Sequence, residues 1–176
     1  MKKVFLLVGH SGSGKTEVAK WFANNGFDVL QSFTTRPKRY EDEYGHLFCT
    51  VEEYEAFKDK GDIVAYSLFD GNHYFSTRDQ IYNTDCYVVD PDGINDLKSK
   101  VSDIDFVTIY IQVDEDVRVE RMLSRGDSKE KVDNRLIVDA IKFIDLIFDY
   151  AVSNKDLNKT LKIIKHIVDV ELEEMK

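Results

Sequence analysis

The feature that most constrains the fold is a phosphate-binding loop at residues 9–16, where the sequence GHSGSGKT matches the pattern G-x-x-x-x-G-K-[ST] at every fixed position. The loop follows an apolar run at residues 4–8 and precedes a helix-like segment at residues 17–22. Glycines let the backbone turn tightly, so that its N–H groups surround phosphate oxygens at the positive end of the helix. This unit predicts binding of a nucleoside triphosphate, with Lys15 on the β- and γ-phosphates and the Thr16 hydroxyl on Mg²⁺.

Composition limits the class of protein and of partner. The 176 residues suffice for one domain with a substantial core. The net charge of −9 argues against nucleic acid, because its recognition depends on clustered Lys and Arg. Cys49 and Cys86 lack the C-x-x-C spacing of a zinc site, and no apolar stretch has the length that crosses a bilayer. We therefore expect a cytoplasmic protein without nucleic-acid or membrane partners, either a monomer or a homodimer.

Strand-like segments alternate with helix-like segments, which favours an α/β fold with a central parallel sheet and crossover helices. Beyond the first strand, strands are predicted at residues 27–30, 86–89 and 106–111, and a hairpin at residues 63–69 and 73–75 around the turn Asp70-Gly71-Asn72. Helices are predicted at residues 50–58, 115–124, 131–150 and 157–175. We expect Phe143 and Phe148, on the helix predicted at residues 131–150, to have a packing role.

A second informative cluster, SFTTRPKRY, occupies residues 32–40. Arg36 and Arg39 lie three residues apart beside a proline, and the guanidinium group suits a phosphate monoester. The alternative is that both arginines form surface ion pairs with Glu41 and Asp42. The cluster therefore predicts an anion site distinct from the phosphate-binding loop.

At this cluster the chain resembles the guanylate kinase family, whose S-x-T-T-R-x-x-R segment holds the phosphate of the acceptor nucleotide. Residues 71–77 are similar to the family's G-N-Y-Y-G-[ST], and residues 90–92 to its D-x-D. Residues 121–127 and 135–136 resemble the arginine-bearing lid, and residues 152–157 resemble V-x-N-x-D-L. The resemblance follows the family's order along nearly the whole chain.

The resemblance implies an ATP-dependent, Mg²⁺-dependent transfer of a phosphoryl group to a nucleoside monophosphate, with GMP or dGMP as the favoured acceptors. It implies ATP binding by Gly9, Ser11, Gly12, Ser13, Gly14, Lys15, Thr16 and Asn154, and Mg²⁺ binding by Thr16 and Asp90. It implies acceptor binding by Ser32, Arg36, Arg39, His46, Tyr74, Ser76 and Asp92, with His46 in place of a family tyrosine. The catalytic charges would come from Lys15, Arg36, Arg121, Arg125 and Arg135.

The resemblance also implies a domain organisation: a three-layer P-loop fold with an inserted nucleoside-monophosphate-binding lobe and a short lid. We expect one domain over residues 1–176, with a core of residues 1–32, 77–120 and 136–176, a lobe of residues 33–76 and a lid of residues 121–135. Two simpler interpretations stay open. Asp90 and Asp92 could end a strand and cap a helix, and the lid arginines could be solvated helix charges.

The departures from the family pattern concern the acceptor base. Ala65 stands where the family has a glutamate that accepts hydrogen bonds from guanine, and Phe75 replaces a glycine. The first alternative is therefore a kinase of the same fold that acts on another nucleotide or a small phosphorylated molecule. On this basis we expect Ala65→Glu to raise GMP turnover. A second, weaker alternative is a non-catalytic binding module, which the retained Lys15 disfavours.

Overall fold

The computed structural model describes residues 1–38, 41–43 and 45–174. Its strands are β1 (Lys2–Val8), β2 (Val29–Leu30), β3 (Ser32–Thr34), β4 (His46–Phe48), β5 (Ile63–Phe69), β6 (Asn72–Thr77), β7 (Cys86–Val88), β8 (Ile104–Gln112) and β9 (Tyr150–Ser153). Its helices are α1 (Lys15–Asn24), α2 (Val51–Asp59), α3 (Arg78–Tyr82), α4 (Pro91–Lys100), α5 (Glu115–Ser124), α6 (Lys129–Lys142) and α7 (Leu157–Glu173). Within these ranges, no helix combines the length and apolar character needed to cross a membrane.

The central sheet has the strand order β2-β7-β1-β8-β9, and every pairing in it is parallel. Side chains alternate across β1: Leu6 faces a core shared with α4, whereas Phe5 and Leu7 face a core shared with α1 and α7. Helices thus cover both faces, and the prediction of an α/β fold around a parallel sheet is confirmed. The loop after β1 lies at the carboxyl edge of the sheet, where parallel α/β sheets bind ligands.

A second sheet, with the order β4-β3-β6-β5, is built from strands between residues 32 and 77. The predicted hairpin forms β5 and β6, and its turn places Asp70 and Gly71 at positive φ. Phe75 is buried in an aromatic cluster and stacks on Phe33 with ring centroids 5.2 Å apart. Phe75 therefore packs inside the second sheet's own core.

The region after α6 differs from the sequence-based prediction. The helix predicted for residues 131–150 ends at Lys142, and residues 150–153 form strand β9. Tertiary contacts explain the early end: Phe143 stacks on His10, and the Asp149 carboxylate accepts a hydrogen bond from the Thr108 backbone N–H at 2.7 Å. Phe148 consequently lies in the connecting segment, with its ring centroid 5.4 Å from that of Tyr110.

Candidate functional site

Two residues from the second half of the chain, Arg118 and Asn154, pack closely against the phosphate-binding loop. Gly12 has φ +80, and a Cβ atom there would lie 2.8 Å from the backbone oxygen of Arg118. Gly14 has φ +94, and a Cβ atom there would collide with the side-chain nitrogen of Asn154. That nitrogen donates to the Ser13 carbonyl at 2.8 Å. Both positions therefore require glycine, for conformation and for space.

Lys15 is folded back onto its own loop. Its ammonium group donates to the carbonyls of Gly9 at 2.5 Å and His10 at 3.1 Å. Burial lowers the pKa of Lys15 to about 8, and the Asp139 carboxylate acts in the opposite direction. The cationic side chains of Arg125, Arg135 and Arg118 lower this pKa further, in that order of strength. Lys15 thus lies near one carboxylate and three guanidinium groups.

Asp139, on α6, supplies a carboxylate to the phosphate-binding loop. Its Oδ2 atom accepts a hydrogen bond from the Ser11 backbone N–H at 2.6 Å. The same oxygen lies 3.8 Å from Nη1 of Arg118 on α5. Sequence reasoning missed both residues, because they lie outside the motif and more than 100 residues further along the chain. A backbone amide of a loop suited to phosphate is therefore bound to an internal anion.

The three predicted lid arginines have different surroundings. Arg121 donates to the Asn154 carbonyl at 2.9 Å and to the carbonyls of Gly12 and Ser13 at 3.4 Å. Arg125 pairs with Asp127 at 2.6 Å, and the guanidinium carbon of Arg135 lies 5.5 Å from the centre of the Phe69 ring. Phe69 belongs to β5, so Arg135 joins α6 to the second sheet.

Asp90 and Asp92 converge on one lysine that sequence reasoning missed. Asp90 caps α4 by accepting a hydrogen bond from the Gly93 N–H at 3.0 Å, as the simpler interpretation expected. Its other oxygen lies 2.8 Å from the Lys142 ammonium, which is also 2.8 Å from Asp92. The described ranges contain no group of three or more His, Cys, Asp or Glu side chains arranged to hold a metal ion.

Arg36 forms a two-point ion pair with an acidic residue of its own lobe. Its Nη2 and Nη1 atoms lie 2.7 Å and 3.2 Å from the two carboxylate oxygens of Glu43. The hydrogen bond to Glu43 raises the pKa of Arg36, and Tyr74 contributes in the same direction. Sequence reasoning had considered Glu41 and Asp42 as partners, and the observed partner is Glu43. Arg39 lies outside the described residues.

Hydroxyl groups line the space between the second sheet and β7. Ser32 Oγ is 3.0 Å from His46 Nδ1, and the His46 and Tyr74 rings meet edge to face at 5.6 Å. Ser76 is fully buried next to Tyr87. Burial raises the pKa of Tyr87, and the hydroxyls of Ser76 and Ser32 act in the opposite direction. Tyr87 was not predicted as part of this site, because an aromatic residue in a buried strand indicates packing.

Ala65 lies where the second sheet packs on α4. The residue is 1% exposed and pairs with Ser76 across β5 and β6. A Cβ atom on Gly93 would lie 3.6 Å from the Ala65 Cβ atom. The structure thus leaves little room for a longer side chain at position 65.

One pattern unites the two sides of the site. Groups suited to phosphate are paired with carboxylates of the same chain, namely Ser11 with Asp139 and Arg36 with Glu43. Carboxylates suited to a cation are paired with Lys142. The arrangement combines two clusters suited to anions, one in the loop after β1 and one in the second sheet's lobe, with a carboxylate pair at the start of α4. Its chemistry suits the transfer of a charged group between two anionic molecules.

Comparisons with known proteins agree with this chemistry. The family model described as guanylate kinase matches residues 1–171. A guanylate kinase of Chlamydia caviae is 31% identical over 186 residues, spanning 96% of this chain and 88% of that protein. A guanylate kinase of Thermotoga maritima is 32% identical over 185 residues, spanning 96% of this chain and 87% of that protein. The crystal structure of guanylate kinase from Anaplasma phagocytophilum shares the fold, with a TM-score of 0.66 at 20% identity, covering 97% of this chain and 86% of that one.

Proposed function

Because the chain belongs to the guanylate kinase family, we propose that it transfers the terminal phosphoryl group of ATP to GMP or dGMP, releasing ADP and the nucleoside diphosphate. The observation that carries the proposal is the half-buried Lys15, with its lowered pKa, in a loop whose Ser11 amide already binds a carboxylate. Relatives about 30% identical over most of the chain are guanylate kinases, which favours this acceptor over another nucleotide or a small phosphorylated molecule.

In the proposed reaction the loop amides and Lys15 hold the donor phosphates. Residues 9–16 provide the amides, and Asn154 lies beside them with a buried Oδ1 atom that lacks a hydrogen-bond partner within the described ranges. Arg121, Arg125 and Arg135 would stabilise the charge that develops on the moving phosphoryl group. Two of these three arginines, Arg125 and Arg135, already act on the pKa of Lys15, which supports their proximity to the donor.

The acceptor would bind to the second sheet. Arg36, Arg39, Tyr74 and His46 are proposed to hold its phosphate, which would take the place of the Glu43 carboxylate on Arg36. The proposed contacts to the base come from Ser32, Ser76 and Asp92. The buried position of Ser76 beside Tyr87 supports this assignment, because a hydroxyl can both donate to and accept from polar groups of a base.

We propose Mg²⁺ as the cofactor, with Thr16 and Asp90 as its protein contacts. The donor set fits, since a hydroxyl and a carboxylate are hard oxygen ligands and Mg²⁺ usually takes few protein ligands beside substrate phosphates and water. When bound, the ion would neutralise charge on the donor phosphates. Asp90 would have to exchange its contact with Lys142 for this role.

The proposed domain organisation keeps the lobe at residues 33–76 and the lid at residues 121–135, both moving toward the core of residues 1–32, 77–120 and 136–176. Closure would exclude water, which otherwise hydrolyses the donor. ATP and the monophosphate are the proposed partners. We further propose a cytoplasmic monomer or homodimer that binds neither nucleic acid nor membranes.

A coupled assay of ADP release tests the function, using a panel of ribo- and deoxynucleoside monophosphates. We expect release with GMP and dGMP well above the background of ATP hydrolysis, and only background with Lys15→Met. A different preferred monophosphate would overturn the acceptor assignment. ATP-analogue binding without transfer to any acceptor would favour the non-catalytic module instead.

A further inference from the structure

A buried arginine beside the phosphate-binding loop has unused hydrogen-bonding capacity. The side chain of Arg118 on α5 is 8% exposed. Its Nε and Nη1 atoms have no hydrogen-bond partner within the described residues. Buried donors are rarely left unpaired, because each one costs free energy when it loses water without gaining an acceptor. These two nitrogens therefore point to a ligand that supplies oxygen atoms.

The position of Arg118 identifies the ligand's chemistry. The backbone of Arg118 lies against Gly12, so the guanidinium group is anchored next to the loop. Oδ2 of Asp139 lies 3.8 Å from Nη1, and the same oxygen accepts a hydrogen bond from the Ser11 N–H at 2.6 Å. That oxygen is too far from Arg118 for a hydrogen bond. A phosphate group, which carries several oxygens, can contact the amide and the guanidinium together.

The other charged side chains near Arg118 do not satisfy its hydrogen-bonding capacity. Glu115 lies 3.4 Å from Nη2, but its side chain is 70% exposed, and such pairs contribute little. Burial lowers the pKa of His10, and Arg118 lowers it further. A cavity of about 250 Å³ opens beside the guanidinium, lined by His10, Gln112, Asp114 and Ser153 among others. An anion thus has space to approach Arg118.

We propose that Arg118 is a further phosphate-binding residue, which contacts the donor's terminal phosphate after that phosphate displaces the Asp139 carboxylate from Ser11. The inference rests on the proposed function only for the identity of the donor as a nucleoside triphosphate. Asp139 then competes with the phosphate, because its charge and position imitate one phosphate oxygen. Arg118 favours the phosphate, which carries more charge than a single carboxylate.

Calorimetric titration with inorganic tripolyphosphate tests this assignment without depending on catalysis. We expect Arg118→Met to bind about tenfold more weakly or worse than the unmodified protein, as loss of a charged hydrogen bond predicts. Asp139→Asn should bind more tightly, since an amide competes less well for the Ser11 N–H. Arg78→Met, which removes an exposed arginine far from the loop, serves as the matched control and should bind normally.

The outcomes separate this proposal from the proposed function. Unchanged affinity in a folded Arg118→Met protein, or weaker binding by Asp139→Asn, would overturn the role of Arg118 and Asp139. If Arg118→Met does not fold, Arg118→Lys and Asp139→Asn carry the test: partial retention by the first and tighter binding by the second are expected. Failure of the protein to phosphorylate any monophosphate would refute the proposed function and leave the tripolyphosphate result standing.

Discussion

The ammonium group of Lys142 lies 2.8 Å from a carboxylate oxygen of Asp90. Burial alone would lower the pKa of Lys142, but hydrogen bonds to Asp90 and Asp92 raise it overall, so the lysine stays charged. Asp90 also caps α4 through its other oxygen. A cation that binds Asp90 must therefore displace another cation, and the capping contact keeps the carboxylate in place while it does so.

Replacing Lys142 should change the response to Mg²⁺. We expect Lys142→Met to reach half-maximal activity at a lower free Mg²⁺ concentration. An ion pair worth about 1 kcal/mol corresponds to roughly a fivefold difference. The measurement is the initial rate against free Mg²⁺ at fixed ATP. Lys131→Met, which changes an exposed lysine of the same helix, should leave the dependence of the rate on free Mg²⁺ unchanged. An unchanged or higher requirement in Lys142→Met would contradict the competition.

Substitutions in the two proposed anion sites should weaken the binding of different ligands. Lys15→Ala is expected to lose affinity for an ATP analogue and Arg36→Ala for the monophosphate, each by roughly ten- to a hundredfold, as the loss of charged hydrogen bonds predicts. Direct titration of each ligand into each variant measures this. Arg78→Ala controls for the loss of a surface arginine. Loss of ATP-analogue binding in Arg36→Ala, with monophosphate binding intact, would reverse the two assignments.

The pKa of Lys15 should appear in the pH dependence of the reaction. The donor phosphates need the protonated ammonium, and Lys15 titrates at about 8 in the free protein. We therefore expect kcat/KM for ATP to fall as the pH rises through about 8, because this parameter reports ionisations of the free enzyme. In Lys15→Arg the fall should move to higher pH, since arginine stays charged. A fall at the same pH in that variant would assign it to another group.

Lys15 should also reduce stability near neutral pH. Its pKa is about 8 when folded and 10.5 when unfolded, so between these values the unfolded chain binds more protons and stability rises with pH. The unfavourable contribution is fully present below about pH 8 and disappears above 10.5. Lys15→Met should therefore have a higher Tm than the unmodified protein at pH 7, with the difference shrinking as the pH rises. Thermal melts in the absence of nucleotide measure it, and a lower Tm at pH 7 would contradict the burial cost.

The structure changes our expectation for Ala65→Glu. Because Ala65 is buried against Gly93, a glutamate there must place its carboxylate in a packed interface, which costs several kcal/mol when the charge is unpaired. We now expect a lower Tm and no gain in GMP turnover relative to AMP. Ala65→Ser, which adds only a hydroxyl, is the matched control. A stable variant with improved GMP preference would show that the lobe moves away from α4 to admit the base.

The sequence predicted well those features that depend on neighbouring residues. The loop of residues 9–16 and the turn at Asp70 and Gly71 need particular glycines, so the pattern identified them. Helix α5 has the predicted bounds of residues 115–124. Helix α6 was predicted too long, because residues 143–149 contain no glycine or proline to end it. The helix ends there because Phe143 turns inward onto His10, a contact that local pattern does not reveal.

The charged residues that contact the loop and the carboxylates could not be predicted, because their partners lie far away in sequence. Asp139 is 128 residues from Ser11, and Lys142 is 52 residues from Asp90. Both occupy positions on an amphipathic helix where a solvated charge is the usual interpretation. Only the tertiary position of α6 brings them to the loop and to the carboxylates. Arg118 was missed likewise, since a buried arginine looks like any other helix charge in sequence.

The spacing of Asp139 and Lys142 gives α6 a thermodynamic role. Residues three apart on a helix lie on the same face, so a shift of α6 that withdraws one from its partner also withdraws the other. If the proposed donor phosphate displaces Asp139 by such a shift, it would lower the work needed to free Asp90 and Asp92, and a cation at Asp90 would do the same for the donor loop. With both ligands acting through α6 in this way, linkage would require each to raise the affinity for the other by the same factor, and this positive cooperativity would need no contact between them.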